Sequence, residues 1–209
     1  MNNRVRRYGA GLVRWRAERS GYDRRVLAYV FWHVTTPAVS VADYEARLGA
    51  FHDGLRAGAP AGLGQTATVA LGAVPWLGGG AGYEDWYLVE DFAALGTLNA
   101  AAVSGAPKAP HDAAAAAARA GVAGVMAHVT GPLLPALPGW AAWLRKPAGV
   151  AYDAFHSELA DALDGEASTW QRQMTLGPAS EYCVLAGAER GLPWPADRAW
   201  RLRTVVAPG

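Results

Sequence analysis

The 209 residues are 52% hydrophobic and 18% charged with a formal net charge of +1, a balance that supports a buried core and excludes a disordered or nucleic-acid-coating chain. The longest strongly apolar run, residues 26–32, falls far short of the ~20 residues that cross a bilayer, and no secretory signal pattern opens the chain. Cys183 is the only cysteine, so neither an internal disulfide nor a cysteine zinc cluster can form, and a reducing, cytoplasmic setting is expected.

Residues 1–25 read as a basic N-terminal extension, with eight arginines against Glu18 and Asp23, or +6, which leaves −5 on the remainder. Leu12, Val13 and Trp15 give it the means to pack along a domain. Residues 26–34 are β-branched and aromatic and predict a buried strand. Ser40 stands three residues before Asp43 as an N-cap, and Tyr44, Leu48, Phe51 and Leu55 follow at helical spacing until Gly58 and Pro60. Residues 65–74 predict a second strand, and residues 76–82, with four glycines, a flexible connection. Residues 85–90 predict a third strand. Phe92, Leu95, Leu98 and Val103 mark a second helix, residues 111–120 an added alanine-rich helix, and residues 122–130 a fourth strand.

The order then restarts. Residues 132–139 form a Pro-rich linker and residues 140–145 a short strand. Tyr152, Phe155, Leu159 and Leu163 mark a helix, residues 170–176 and 181–186 two strands, residues 193–199 a helical turn, and residues 201–206 a last strand. Phe51-His52-x-x-Leu55 matches Phe155-His156-x-x-Leu159, and Trp86-Tyr-Leu-Val89 answers Glu181-Tyr-Cys-Val184. The expected fold class is therefore α+β: two ferredoxin-like βαββαβ halves in tandem (26–131 and 140–209), antiparallel sheets with helices on one face. Each such sheet needs an apolar cover on its other face, from the second half or from a second chain, so self-association is expected.

The segment Trp143-Leu-Arg-Lys-Pro147, leading into a helix bearing Tyr152 and Phe155 and later Gln173-Met-Thr-Leu-Gly-Pro178, resembles EthD-like and NIPSNAP-like members of the dimeric α+β barrel superfamily. The outline covers residues 26–206, and the motif similarity mainly 143–178. This resemblance implies a barrel and a small-molecule ligand, with cofactor-free monooxygenases, isomerases and haem enzymes of the chlorite-dismutase type among its members. Fold alone does not choose between them. The chlorite-dismutase type carries its haem ligand on a second-half strand; here no histidine lies on one, and His156 is the nearest. No cofactor is assigned.

Neither HExxH nor GxSxG occurs, and the glycine run at 78–82 lacks a phosphate-loop pattern. The chemistry-bearing candidates are the histidines. His33 and His128 fall on neighbouring strands of a 4-1-3-2 sheet, where two imidazoles could act as base and acid; the alternative is two separately hydrogen-bonded residues. His52 and His156 are expected on helix flanks, and His111 at a helix start, capping it or facing a cleft. Trp86 and Tyr87 are placed near a pocket between sheet and helices. Trp143, Arg145, Trp170 and Arg172 alternate on two strands, suited either to a ligand carboxylate or haem propionate or to pairing with Glu181 and nearby carboxylates that seals a chain–chain interface. No metal site and no membrane partner is expected. Three readings stand: a binder or enzyme of small apolar or aromatic molecules, a haem-binding protein of the chlorite-dismutase-like type, and a non-catalytic assembly protein. Because the arginines at 1–25 match no nucleic-acid-binding motif, the chain should show no sequence-selective DNA or RNA binding. Mobility-shift titrations at physiological salt test this, and selective binding there would refute it.

Overall fold

The structure, a computed structural model, describes residues 26–78, 81–163 and 165–209; the basic extension lies outside them. Strand β1 (Leu27–Thr35) buries both faces, as its unbroken apolar run requires. Helix α1 (Val41–Gly58) starts where Ser40 Oγ accepts the Asp43 N–H at 3.1 Å. It ends at Ala59, whose left-handed backbone (φ 39°) turns its N–H onto the Leu55 and Arg56 carbonyls. Strand β2 (Leu63–Ala73), a 3-10 turn at Pro75–Leu77 and strand β3 (Ala81–Val89) follow. Helices α2 (Phe92–Ala102) and α3 (Gly105–Ala117) then lead to β4 (Ala118–Thr130). The second half comprises β5 (Trp140–Leu144), α4 (Tyr152–Leu163), β6 (Ser168–Arg172), β7 (Tyr182–Ala186), β8 (Arg198–Arg201) and β9 (Arg203–Val206).

The nine strands run β8-β5-β7-β6-β4-β1-β3-β2-β9, every pairing antiparallel. The first half alone is β4-β1-β3-β2 and the second β8-β5-β7-β6, so each has ferredoxin-like order and the expected tandem fold is present. Strands β8 and β9 stand at opposite ends of this order, yet only Leu202 separates them in the chain. Residues 198–206 thus act as one strand whose first part pairs β5 and whose second pairs β2, closing the sheet into a barrel. The Leu202 N–H donates to the Gly139 carbonyl at 2.8 Å at the crossover. The cover that each sheet needs is supplied by the same chain.

The barrel interior holds Val30, Trp32, Leu71, Trp86, Leu88, Met126, Trp143, Trp170, Cys183 and Leu185, drawn from every strand except the closing pair, whose Trp200 packs against them. Leu134 of the Pro-rich linker packs against this cluster. Helices cover the outer face: α1, α2 and α3 over the first half, and α4 over the second. The helical turn expected at 193–199 is absent. Pro193 and Pro195 withhold N–H donors there, and the irregular segment covers the sheet through Trp194, stacked on Phe155 at 4.7 Å. No described helix is long and apolar enough to cross a membrane.

One acidic group lies inside the barrel. Glu84 is wholly buried, accepting the indole N–H of Trp32 at 2.5 Å on one carboxylate oxygen and that of Trp86 at 2.6 Å on the other. Burial pushes its carboxyl up to about 7, against the two indole donations, which lower it. A folded-state value above the unfolded one means that this group's stabilisation is full below about pH 4.5 and is lost as pH rises through about 7. The expected span is roughly 3 kcal/mol. Glu84→Gln should flatten the stability profile between pH 5 and 8, measured as denaturant midpoints; an unchanged slope would show that Glu84 does not titrate in that window.

Candidate functional site

Period-two alternation sends Tyr29, Phe31 and His33 of β1, and Asp85 and Tyr87 of β3, to the helix-facing side of the sheet. There they meet Tyr44, Leu48, Phe51 and Leu55 of α1, Leu95 and Leu98 of α2, and His111 and Ala114 of α3 around a cavity of about 750 Å³. The walls are mainly apolar and aromatic. Phe92 and Val103, which mark the apolar stripe of α2 in the sequence, are 55% and 48% exposed and line the α2 side of the cavity.

The cavity floor is polar and connected. Asp85, 3% exposed, accepts the Thr68 hydroxyl at 2.7 Å on Oδ1 and the Tyr87 hydroxyl at 3.0 Å on Oδ2. His33 Nε2 approaches Oδ2 to 3.2 Å, near enough for charge attraction though not aligned as a hydrogen bond. On the other side of the ring, Tyr44 Oη lies 2.6 Å from His33 Nδ1. With Nε2–H turned to the carboxylate, Nδ1 is the acceptor and Tyr44 the donor. Because Thr68 donates to Asp85, its oxygen is left to accept from His52 Nε2 at 2.8 Å. Two chains, Tyr44–His33 and His52–Thr68, therefore converge on one carboxylate.

Burial would push the Asp85 carboxyl up, but His33 and His52 outweigh it and hold the group well below the usual carboxylate range, so it is anionic. Burial first, and Asp85's charge second, raise Tyr29, Tyr44 and Tyr87, which remain protonated donors. The arrangement can accept a proton at the cavity surface and place the resulting imidazolium against a fixed negative charge.

Of the sequence candidates, the structure brings His33, Tyr87 and His111 together at this cavity. His111 packs edge-on to Phe51 at 5.4 Å, its Nδ1 3.2 Å from Asp112 Oδ1. His33 and His128 do not approach. Their strands are neighbours, but His33 pairs with Gly121, seven positions from His128, or roughly 23 Å. They also occupy opposite faces: His128 lies edge-on to Trp170 at 5.1 Å, on the barrel side with Met126, and burial lowers its imidazole. Trp86, Trp143 and Trp170 are wholly buried barrel residues rather than pocket walls. Arg145 and Arg172 line a separate, polar recess of about 540 Å³ with Gln171 and Glu181. Arg145 pairs with Asp197 at 3.0 Å and Arg172 donates to the Gly177 and Ala179 carbonyls, so neither pairs with the Glu181 side chain.

Sequence reasoning missed Asp85, Tyr44 and His52 as a site. The available signal was the adjacent pair Glu84-Asp85 inside an otherwise apolar strand, since two carboxylates there demand partners on both faces. His52, expected on a helix flank, is wholly buried because its ring turns to the sheet, stacked on Tyr87 of β3 at 5.1 Å with Nε2 2.8 Å from the Thr68 hydroxyl of β2. His156 keeps its half-exposed place, with Nε2 3.0 Å from the Tyr182 hydroxyl. That engagement, and the dense packing of Phe155 and Tyr182 beside it, do not fit a haem ligand. Among the described residues no group of three or more His, Cys, Asp or Glu is arranged to hold a metal ion.

No protein-family model matches the chain, and no curated protein matches it. Solved structures do resemble it. A protein proposed to be a monooxygenase from Fusobacterium nucleatum subsp. nucleatum aligns over 87% of this chain and 93% of its own, at 8% identity and a TM-score of 0.58. A proposed chlorite dismutase aligns over 86% and 94%, at 11% identity and 0.53. A proposed monooxygenase from Lactobacillus acidophilus NCFM aligns over 88% and 94%, at 7% identity and 0.50. At such identities the likeness establishes the ferredoxin-like α+β barrel fold and nothing finer.

The buried pairs make a graded prediction. Phe51→Ala and Phe155→Ala should each cost ~3–5 kcal/mol, as large buried aromatics do. His52→Ala should cost on the order of 2–4 kcal/mol, because it strips a buried network of a donor, and His156→Ala about 1. Denaturant midpoints of the four variants decide: His52→Ala as mild as His156→Ala would mean that the His52–Thr68–Asp85 chain does not form.

Proposed function

We propose that the chain binds a small apolar or aromatic molecule between the first-half sheet and its helices and removes a weakly acidic proton from it. The observation that carries this reading is the Tyr44–His33–Asp85 chain at the floor of an otherwise apolar 750 Å³ cavity. As the ligand's C–H or O–H bond breaks, its electron pair stays on the ligand as an enolate or phenolate. The proton passes to Tyr44 as the Tyr44 proton passes to His33 Nδ1. Asp85 then faces an imidazolium across 3.2 Å, a pairing that stabilises the charge-separated state. The carbanion can be reprotonated at another carbon, giving an isomerase, or react with dioxygen, giving a cofactor-free monooxygenase.

Kinship with EthD-like and NIPSNAP-like proteins, carried by residues 143–178, belongs to the same proposal, as do a cytoplasmic setting and division at residues 132–139. Both proposed monooxygenases among the structural neighbours are in keeping with it. The test uses 2-tetralone, a neutral two-ring ketone with acidic C–H bonds, in D₂O under nitrogen. The protein should speed deuterium entry beside the carbonyl, followed by NMR, and His33→Ala and Tyr44→Phe should each slow it by about 10²–10⁴-fold, since both belong to one relay. Exchange untouched by both variants would refute the proton-transfer role.

A further inference from the structure

We infer that the cavity selects uncharged ligands: a flat, neutral ring system lies along the Tyr29–Phe31 wall with its single polar atom at the His33–Tyr44 floor, and carboxylated or phosphorylated analogues are rejected. This rests on the reading above and adds the charge and orientation of the substrate class.

The first observation is the composition of the lining. Among the described residues, twenty line the cavity and none is Lys or Arg; the formal charge among them that is fixed by its partners is the anion Asp85. Any positive charge gained by His33 is opposed by that carboxylate 3.2 Å away. A ligand carboxylate would leave water for an apolar lining that holds a like charge and, among the described residues, no Lys or Arg to compensate it, a costly combination for an ion. The cavity's own hydroxyls report the same field, since burial and then Asp85 disfavour ionisation of Tyr29 and Tyr87.

The second observation is shape. Tyr29 and Phe31 lie nearly parallel (8°, 6.4 Å), and Phe31 continues onto His33 (20°, 5.1 Å), so alternate residues of β1 present one row of ring faces ending at the acceptor. Gly121 makes the row possible: a Cβ there would lie 2.3 Å from the Phe31 ring. A flat ligand stacked on this row reaches His33 and Tyr44 with one edge, while Phe92 and Val103 meet its apolar remainder.

The experiment compares 2-naphthamide with 2-naphthoate, matched in size and differing in charge, at pH 8 by calorimetric titration of the wild-type chain. The amide should bind at least tenfold more tightly. Val103→Lys, at an exposed position lining the cavity, should recover naphthoate binding without improving the amide. Gly96→Phe should weaken both ligands, because Gly96 lines the cavity and a side chain there meets no atom within 4 Å of its Cβ, so the substitution fills space without disturbing the helix. Equal or tighter naphthoate binding that Gly96→Phe abolishes would overturn the inference and leave the ligand pocket standing. If neither compound binds, or Gly96→Phe changes nothing, the pocket reading itself falls, and this inference with it.

Discussion

A ferredoxin-like sheet with helices on one face leaves its other face apolar and exposed, and that debt governs the molecule. This chain settles it internally. Residues 198–206 pair with β5 through their first part and with β2 through their second, so the two sheets become one barrel with no free strand between them. Closure turns the inner faces into a tryptophan-rich interior and leaves the outer faces to the helices. It also limits where a ligand can sit, because the interior is filled with side chains and the described cavity lies outside it, under α1, α2 and α3.

Two adjacent carboxylates show what the two faces do. Glu84 points into the barrel and Asp85 into the helix-side cavity, one residue and half a pleat apart. Inside, Glu84 accepts from two indole N–H groups, burial dominates, and its carboxyl is pushed up to about 7. Outside, Asp85 has hydroxyl donors and two imidazoles, which hold it anionic in spite of equal burial. The same residue class, at neighbouring positions, is thus a group that titrates near neutrality on one face and a fixed charge on the other.

The halves share an architecture but not a site. Phe51 and His52 pack on Tyr87 much as Phe155 and His156 pack on Tyr182, which matches the aligned motifs strand for strand. Yet Ser180 stands where the first half has Asp85, and among the described residues no counterpart of α2 or α3 covers the second sheet. Trp194 fills that space by stacking on Phe155, so the place equivalent to the cavity is packed shut.

The sequence by itself determined most of the element order, though not the irregular stretch at 193–199, together with the repeat and the expectation of a pocket between sheet and helices, because periodicity, caps and breakers act over a few residues and leave local marks. It named His33, Tyr87 and His111, since histidine and tyrosine in apolar runs are conspicuous. It could not pair them. Which residue faces His33 depends on strand register, and antiparallel pairing set Gly121 there and sent His128 to the far end and the opposite face. Burial of His52 depended on α1 packing across β2 and β3, where its ring meets Thr68 and Tyr87, residues sixteen and thirty-five positions further along the chain. Asp85 drew its partners from β1, α1, β2 and its own strand, and only the closed tertiary structure brings four such segments around one carboxylate, because a buried charge is tolerated only where distant elements supply its donors together.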